Sequence, residues 1–328
     1  MKDTSLHYML RSGKNSKFLY YCGSVLRNLK PDAWCRKQLE AVLEEGARRY
    51  DEAYVKDRVD YYCKLQQPTR LCSEAPCLGS FHRKNHPSVY YFDSHELTRY
   101  FSPTLRWQYL FGDVRDIPDT PTIVKSRSIT QDNANAVLLK LNRVRHYIYL
   151  DDKTPFAEKD DRAIFRGQVG TRENRIRFVE MYARHPRVDA ANTLAKGGLM
   201  ADNPDGKDTA PRLSLYDHLK YRYILCLEGN DVATNLKWVM SSHSLAVMPP
   251  PTCETWFMEG RLKADYHYVS IRPDFADLIE KMDYYSSHPK EAQQIIDNAN
   301  RWVSQFRDTA RERYIGLRVL QKYLTLCN

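Results

Sequence analysis

Nowhere does this chain offer eighteen consecutive apolar residues, so no membrane-spanning helix is expected. The opening residues, Met1-Lys-Asp-Thr-Ser-Leu-His-Tyr8, lack an apolar run of signal-peptide length. That absence sets the expectation of a cytoplasmic, non-secreted protein. No low-complexity or collagen-like segment occurs, and no internal repeat, so disorder is not the dominant state. Zinc-finger spacing, an RNP motif, a basic heptad array and any block of five basic residues are all missing, so no nucleic-acid partner is expected. Eight cysteines, at 22, 35, 63, 72, 77, 226, 253 and 327, are too few in a long chain for a disulfide framework and are read as reduced and mostly buried. Cys72, Cys77, His82 and His86 carry zinc-ligand atoms. Only four residues part Cys77 from His82, far fewer than in a zinc finger, and the segment is read as a packed loop, with metal binding left open.

What is present is charge and length. The formal net charge is +9 over 328 residues. That excess favours anionic partners (nucleic acid, phosphorylated small molecules or an anionic membrane surface), or is simply a basic solvated surface. The length exceeds one ordinary core, so two domains are expected.

The first third reads as helical, with Asp32 as an N-cap and apolar positions 39, 42 and 43, then 54, 55, 59, 62 and 63, on helix faces. Tyr109–Gly112 and Thr122–Lys125 read as short strands around a turn, 133–143 as a helix and Tyr147–Leu150 as a strand. The polar stretch 151–161 reads as the domain boundary. Beyond it strand and helix alternate, the pattern of a parallel α/β sheet. Ala163–Gly167, Tyr223–Leu227 and Ser244–Met248 read as strands; Arg172–His185 and Ala233–Ser242 read as helices. Residues 196–211 read as an exposed loop. The C-terminus reads as long helix, starting near Pro289 and with a bend expected at Gly316.

Four constellations carry polar chemistry. Phe165-Arg-Gly-Gln-Val-Gly-Thr-Arg-Glu-Asn-Arg175 ends a strand, turns on glycine and opens a helix among arginines. Backbone N–H groups at a helix start and forked guanidinium groups both suit phosphate oxygens, although a plain strand–turn–helix with solvated arginines has the same pattern. Glu228-Gly-Asn-Asp-Val-Ala-Thr-Asn-Leu-Lys237 repeats the plan, with Thr234, Asn235 and Lys237 able to meet a diphosphate, or with an ordinary capped helix. In Pro249–Glu259, beyond a strand end, Glu254 suits ribose hydroxyls, and Trp256 suits either a base or the core. Asp116, in Asp113-Val-Arg-Asp-Ile-Pro118, has the carboxylate needed to accept a hydroxyl proton, or is a simple turn aspartate.

Taken in order, these motifs resemble glycosyltransferase family 90, which holds protein O-glucosyltransferases, fungal capsule xylosyltransferases and bacterial lipopolysaccharide-modifying enzymes. The resemblance rests on Phe165-Arg-Gly167 with Thr171 and Arg175, on His218-x-x-Tyr-x-Tyr223 leading into Leu227–Trp238, and on Pro249–Trp256 followed by His267-Tyr-Val. It covers residues 105–325. It implies an α/β, GT-B-like fold: two facing Rossmann-like domains, a UDP-sugar in the cleft, a helical N-terminal region and a long C-terminal helix. The expected domains are an acceptor side at 1–155, a nucleotide-sugar side at 156–300, and a helix at 301–328 packing back on the first. It implies inverting transfer with Asp116 as base. Arg166, Gly167, Thr171, Arg175, Asn230, Thr234, Asn235 and Lys237 would bind donor phosphate, and Glu254 and Trp256 the ribose and base. No cofactor is implied beyond the UDP-sugar substrate. No two aspartates are separated by a single residue, so the Asp-x-Asp metal element of another glycosyltransferase architecture is missing. The bacterial, lipopolysaccharide-type branch fits better than the protein-glucosylating one. It implies a glycan or lipid-linked glycan acceptor and peripheral contact with the anionic inner membrane. A protein O-glycosyltransferase and a non-catalytic nucleotide- or glycan-binding module are the alternatives.

Overall fold

The computed structural model describes residues 12–193 and 209–328. Most of the expected loop at 196–211 lies outside them. The chain divides into two compact units. The sheet unit comprises Met1–Asn15, His146–Pro251 and Arg261–Gln305. The helix-rich unit comprises Ser16–Arg145, Thr252–Gly260 and Phe306–Asn328. The polar stretch 151–161 is therefore interior to the sheet unit. Its charges mislead because two of them are buried together: Lys159 Nζ donates to Asp152 Oδ2 at 2.8 Å, with side chains 0% and 4% exposed.

In chain order, the strands of the sheet unit are Asp160–Gly167, Val188–Thr193, Thr209–Ala210, Tyr221–Leu225, Leu245–Met248 and Val269–Ser270. Across the sheet they lie third, second, first, fourth, fifth, sixth, and every neighbouring pair is parallel. This is a doubly wound order, with its switch point between the first and fourth strands. Alternate residues Ala163 and Phe165, Val188 and Ala190, Tyr223 and Leu225, Leu245 and Val247 share one core cluster with Phe178, Leu278, Met282 and Ile295. Helices Glu173–Tyr182, Leu278–Ser287 and Pro289–Ser304 supply those partners. Ile164, Ile224 and Ala246, on the opposite face by alternation, are buried too, so both faces are covered, as a parallel sheet requires. The expected helix Ala233–Ser242 shrinks to Leu236–Val239. Its flanks close in tighter turns, Ser241 N to Trp238 O and Ser242 N to Val239 O.

In the helix-rich unit, strands Tyr109–Leu110, Thr122–Val124 and Ala136–Leu138 form a second parallel sheet. The last of these replaces part of the helix expected over 133–143. A short apolar run such as Ala136–Leu139, buried on all sides, has no periodicity to separate strand from helix. Tyr147–Leu150, in the sheet unit, joins no ladder among the described residues; the Leu150 amide donates to Ser241 Oγ at 2.8 Å. Asp32 is the first residue of helix Asp32–Lys37 rather than its cap, and its carboxylate pairs with Arg99 at 2.7 Å.

The C-terminal helical region is two helices, because Asp308 accepts from the Ala310 and Arg311 amides and starts a new one, Thr309–Cys327. That helix runs unbroken through Gly316 and packs on Leu39–Arg49, Glu52–Tyr62 and Ser88–Thr98. At the crossing with Leu39–Arg49, a Cβ on Gly46 would stand 2.3 Å from the Tyr314 ring. Gly46→Ala is therefore expected to destabilise the protein by about 1–3 kcal/mol through overpacking, outweighing the roughly 1 kcal/mol that alanine gains in helix propensity. A urea midpoint that rises instead of falling would show that the two helices part easily.

Candidate active site

The switch point of the six-stranded sheet lies where the strands Asp160–Gly167 and Tyr221–Leu225 end side by side, and ligands of doubly wound sheets bind at such carboxyl ends. Two loops leave from there, 168–172 and 226–231. Arg175, in the first turn of helix Glu173–Tyr182, fastens them together. Its Nη1 donates to Gln168 O at 2.7 Å, its Nη2 to Leu227 O at 2.8 Å and its Nε to Glu228 O at 3.0 Å. Arg172, one turn earlier, donates to Asn230 Oδ1 at 2.9 Å and to Val169 O at 3.2 Å. Asn174 Nδ2 reaches Glu228 O at 3.1 Å. Both guanidinium groups lie against Gly229, where a Cβ would meet Arg175 Nη2 at 3.0 Å and Arg172 Nε at 3.6 Å. A side chain at 229 would push the two cations off the turn, so the glycine of Glu-Gly-Asn serves close approach. Arg172, Asn174 and Gly229 were not singled out from the sequence. The signal for Arg172 was its three-residue spacing to Arg175, which puts both on one helix face.

The other expected donor residues of this unit divide into three settings. Gly167 ends the first strand, and Thr171 is exposed in its loop. Asn230 holds Arg172, while Thr234 and Asn235 are half-buried and Asn235 Nδ2 donates to Leu225 O at 2.9 Å. Lys237 is fully buried, its ammonium 5.7 Å from the centre of the Tyr147 ring. Burial pushes the neighbouring Cys226 thiol well up, with the Lys237 charge pulling it the other way. Arg166 is turned back along the sheet. Its guanidinium pairs with Asp189, a residue in register with Ile164, and donates to Asp189 O at 2.9 Å. Tyr221 OH donates to the other Asp189 oxygen at 2.9 Å. Burial and that carboxylate raise the Tyr221 phenol. Arg166 thus braces the first, second and fourth strands instead of facing the loops, because residue 166 alternates with Phe165 across the pleat.

Asp116, Glu254 and Trp256 belong to the helix-rich unit. Asp116 lies in the loop that leaves the carboxyl end of strand Tyr109–Leu110. Ser126 Oγ holds Val114 O at 2.9 Å, and Ser128 Oγ holds Arg115 O at 2.7 Å. Asp113 pairs at 2.5 Å with the buried Lys125. Asp116 itself is exposed and has no hydrogen-bonding or ion-pair partner among the described residues. Beyond it, Asn135 Nδ2 donates to Asp119 O at 2.8 Å, so the loop is fixed on both sides of a carboxylate left open to solvent.

Glu254 has the opposite setting. Its strand, Cys253–Thr255, runs antiparallel to Ser126–Ser128 with Glu254 opposite Arg127. Arg127 Nε donates to Glu254 Oε1 at 2.8 Å, Tyr61 OH donates to Oε2, and Glu254 is only 2% exposed. Both oxygens are thus occupied inside the unit, and one of them pairs with strand Ser126–Ser128, whose serines hold the Asp116 loop. Burial and the Glu254 charge raise the Tyr61 phenol. Trp256 is fully buried and stacks on Tyr62 at 3.8 Å between ring centres, so its faces line the core. Of the residues expected to grip one nucleotide, Arg175 and Asn230 come together at the switch point, Lys237 is buried in the same unit, and Glu254 and Trp256 are buried members of the other unit. Among the described residues, no group of three or more His, Cys, Asp or Glu side chains is placed to hold a metal ion. The ring of His86 packs on Phe81 and Tyr109. No helix among those residues is long and apolar enough to cross a membrane.

Comparison with known proteins gives the chain's relatives. Residues 135–327 match the model of Glycosyl transferase family 90. O-glucosyltransferase LpsA of Dichelobacter nodosus is 44% identical over 312 residues, covering 94% of this chain and 96% of that protein. Protein O-glucosyltransferase 3 of Homo sapiens is 28% identical over 167 residues, 50% of this chain and 32% of that protein. Protein O-glucosyltransferase 1 of Rattus norvegicus is 25% identical over 152 residues, 45% of this chain and 38% of that protein.

Proposed function

This chain belongs to glycosyltransferase family 90 and is a glycosyltransferase; on that footing we propose that it moves a sugar, with inversion, from a UDP-sugar to a hydroxyl of a glycan acceptor. The observation that carries the donor reading is the pair Arg172 and Arg175 laid across Gly229 at the switch point. Two cations and the first N–H groups of helix Glu173–Tyr182 make an anion-binding corner of the kind a diphosphate needs. In this reading both units are Rossmann-like halves of a GT-B-like enzyme. The acceptor is a lipopolysaccharide core or related surface glycan, carried at the anionic inner membrane, and the enzyme works at its cytoplasmic face. The D. nodosus relative, named an O-glucosyltransferase, makes UDP-glucose the first donor to try.

The reaction is a single displacement. Asp116 accepts the proton of the acceptor hydroxyl, and that oxygen attacks the donor's anomeric carbon. The bond from that carbon to the diphosphate oxygen breaks, and UDP leaves with the electron pair. Arg172 and Arg175 meet the growing negative charge, with Lys237 adding to the local positive potential. No resident metal takes part in this proposal.

A thermal-shift panel of UDP-sugars tests it, since a ligand of the folded state raises apparent stability by mass action. UDP-glucose is expected to raise Tm, and Arg175→Ala to weaken UDP binding by about 10–100-fold, the range for a lost hydrogen bond to a charged group. Arg175→Lys restores the charge but not the three-carbonyl fastening and is expected to fall between. Unchanged UDP affinity in Arg175→Ala would remove the switch-point arginines from the donor site.

A further inference from the structure

The helix Lys17–Asn28 is attached to its unit along one polar side. Tyr20 OH donates to Asp93 Oδ1 at 2.6 Å, and Ser24 is buried with its hydroxyl on Tyr20 O. At 3.6 residues per turn, Phe18, Leu19, Cys22, Val25, Leu26 and the capping Leu29 fall on one arc facing away from that attachment. All six are exposed: Phe18 is 75%, Leu19 69%, Leu26 65% and Leu29 73% accessible. Scattered exposed apolar residues are ordinary, but a continuous apolar face is not. Its charge surroundings indicate what covers it. Between Asp3 and Asp32 the sequence has no acidic residue, and exposed Lys17 and Lys30 stand at the two ends of the helix, while Arg27 pairs with Glu96 at 3.6 Å. Just beyond the helix, Trp34 is 46% exposed with the Lys30 ammonium 4.9 Å from its ring centre, an aromatic–cation pair suited to a headgroup layer.

We propose that Lys17–Asn28 is a membrane-docking helix that lies in the interface of an anionic lipid bilayer, with Phe18, Val25, Leu26 and Leu29 among the acyl chains and the lysines at the phosphates. An amphipathic helix with a cationic flank binds in this manner, by apolar burial plus attraction to anionic lipid. At 12 residues it extends about 18 Å, so it lies on a bilayer and does not span it. The proposal gives the membrane-borne acceptor of the previous section a physical means of meeting the enzyme. It rests on that reading for its purpose only, not for the binding.

Co-sedimentation of the full chain with vesicles of phosphatidylglycerol and phosphatidylethanolamine, against vesicles of phosphatidylcholine alone, tests it. Binding to the anionic vesicles is expected, falling with salt, together with a blue shift of tryptophan emission that is lost in Trp34→Phe. Phe18→Ser with Leu26→Ser is expected to weaken binding by about tenfold or more, with Tm and the UDP-induced thermal shift unchanged because both side chains lie outside the core. Lys17→Glu with Lys30→Glu is expected to abolish the preference for anionic lipid. Failure to sediment with either vesicle, or undiminished binding by the serine variant, overturns the proposal. So does a concentration-dependent dimer of the wild type that the serine variant loses, because the apolar face would then cover a second copy. The UDP thermal shift is independent of all three outcomes, so a failed membrane proposal and a failed donor-site reading are told apart.

Discussion

Asp116→Asn is expected to lower kcat by about 10²–10⁴-fold, the usual contribution of a general base, while UDP binds with unchanged affinity. Asparagine keeps the size and the loop but has no basic carboxylate, so only the proton-accepting step is lost. The loop does not depend on the carboxylate, since its carbonyls are held by Ser126 and Ser128 and Asp113 by Lys125. A sound variant should therefore bind UDP and melt like the wild type. Sugar transfer measured alongside UDP titration separates the two quantities. Turnover near the wild-type value would take Asp116 out of the reaction. Asp113→Asn is the informative contrast, because it leaves the buried Lys125 ammonium without its carboxylate. It should cost stability before it costs chemistry.

The second large effect concerns stability. Glu312→Ala is expected to destabilise the protein by about 3–5 kcal/mol, the cost of breaking a buried pair by removing one partner. Glu312 Oε1 accepts from Arg58 Nη2 at 3.1 Å, and Oε2 from Trp256 Nε1 at 2.6 Å and Lys140 Nζ at 3.2 Å. Arg58 is fully buried and also donates to Tyr62 OH at 2.7 Å and Tyr54 OH at 2.6 Å. Those hydroxyls satisfy hydrogen bonds but not charge, so without Glu312 the guanidinium is a desolvated cation. Lys140, whose ammonium burial already pushes down in pKa, can shed its proton; an arginine cannot. Replacing both partners, Arg58→Met with Glu312→Leu, is therefore expected to recover most of the loss. Urea unfolding of the two variants decides it. A loss below about 1 kcal/mol in Glu312→Ala would place the pair in the range of solvent-exposed bridges.

The sequence showed where backbone chemistry would concentrate. Strand–glycine–helix patterns at 165–175 and 223–238 announced the two loops of the switch point, because glycine, helix starts and strand periodicity are local properties. It also identified the Asp116 turn, since short apolar runs flank it. It did less well where a residue's environment depends on distant partners. Asp152 and Lys159 looked like a solvated linker and are a buried pair. Arg166 looked like a phosphate ligand and meets Asp189 on the neighbouring strand. Glu254 and Trp256 were grouped with the nucleotide half because they follow one of its strand ends, yet Glu254 pairs with Arg127 on Ser126–Ser128 and Trp256 stacks on Tyr62.

By itself the sequence determined the parallel α/β character of the C-terminal half, the residue types at the two switch-point loops and the order of motifs that marks the family, because each follows from spacing along the chain. Only the tertiary structure decided which charged side chains remain available to a ligand. A carboxylate or guanidinium is indifferent to its sequence neighbours and is held by whichever opposite charge folding delivers at hydrogen-bonding distance. Asp116, Arg172 and Arg175 end at loop edges, whereas Arg166, Lys237 and Glu254 are taken up by the fold.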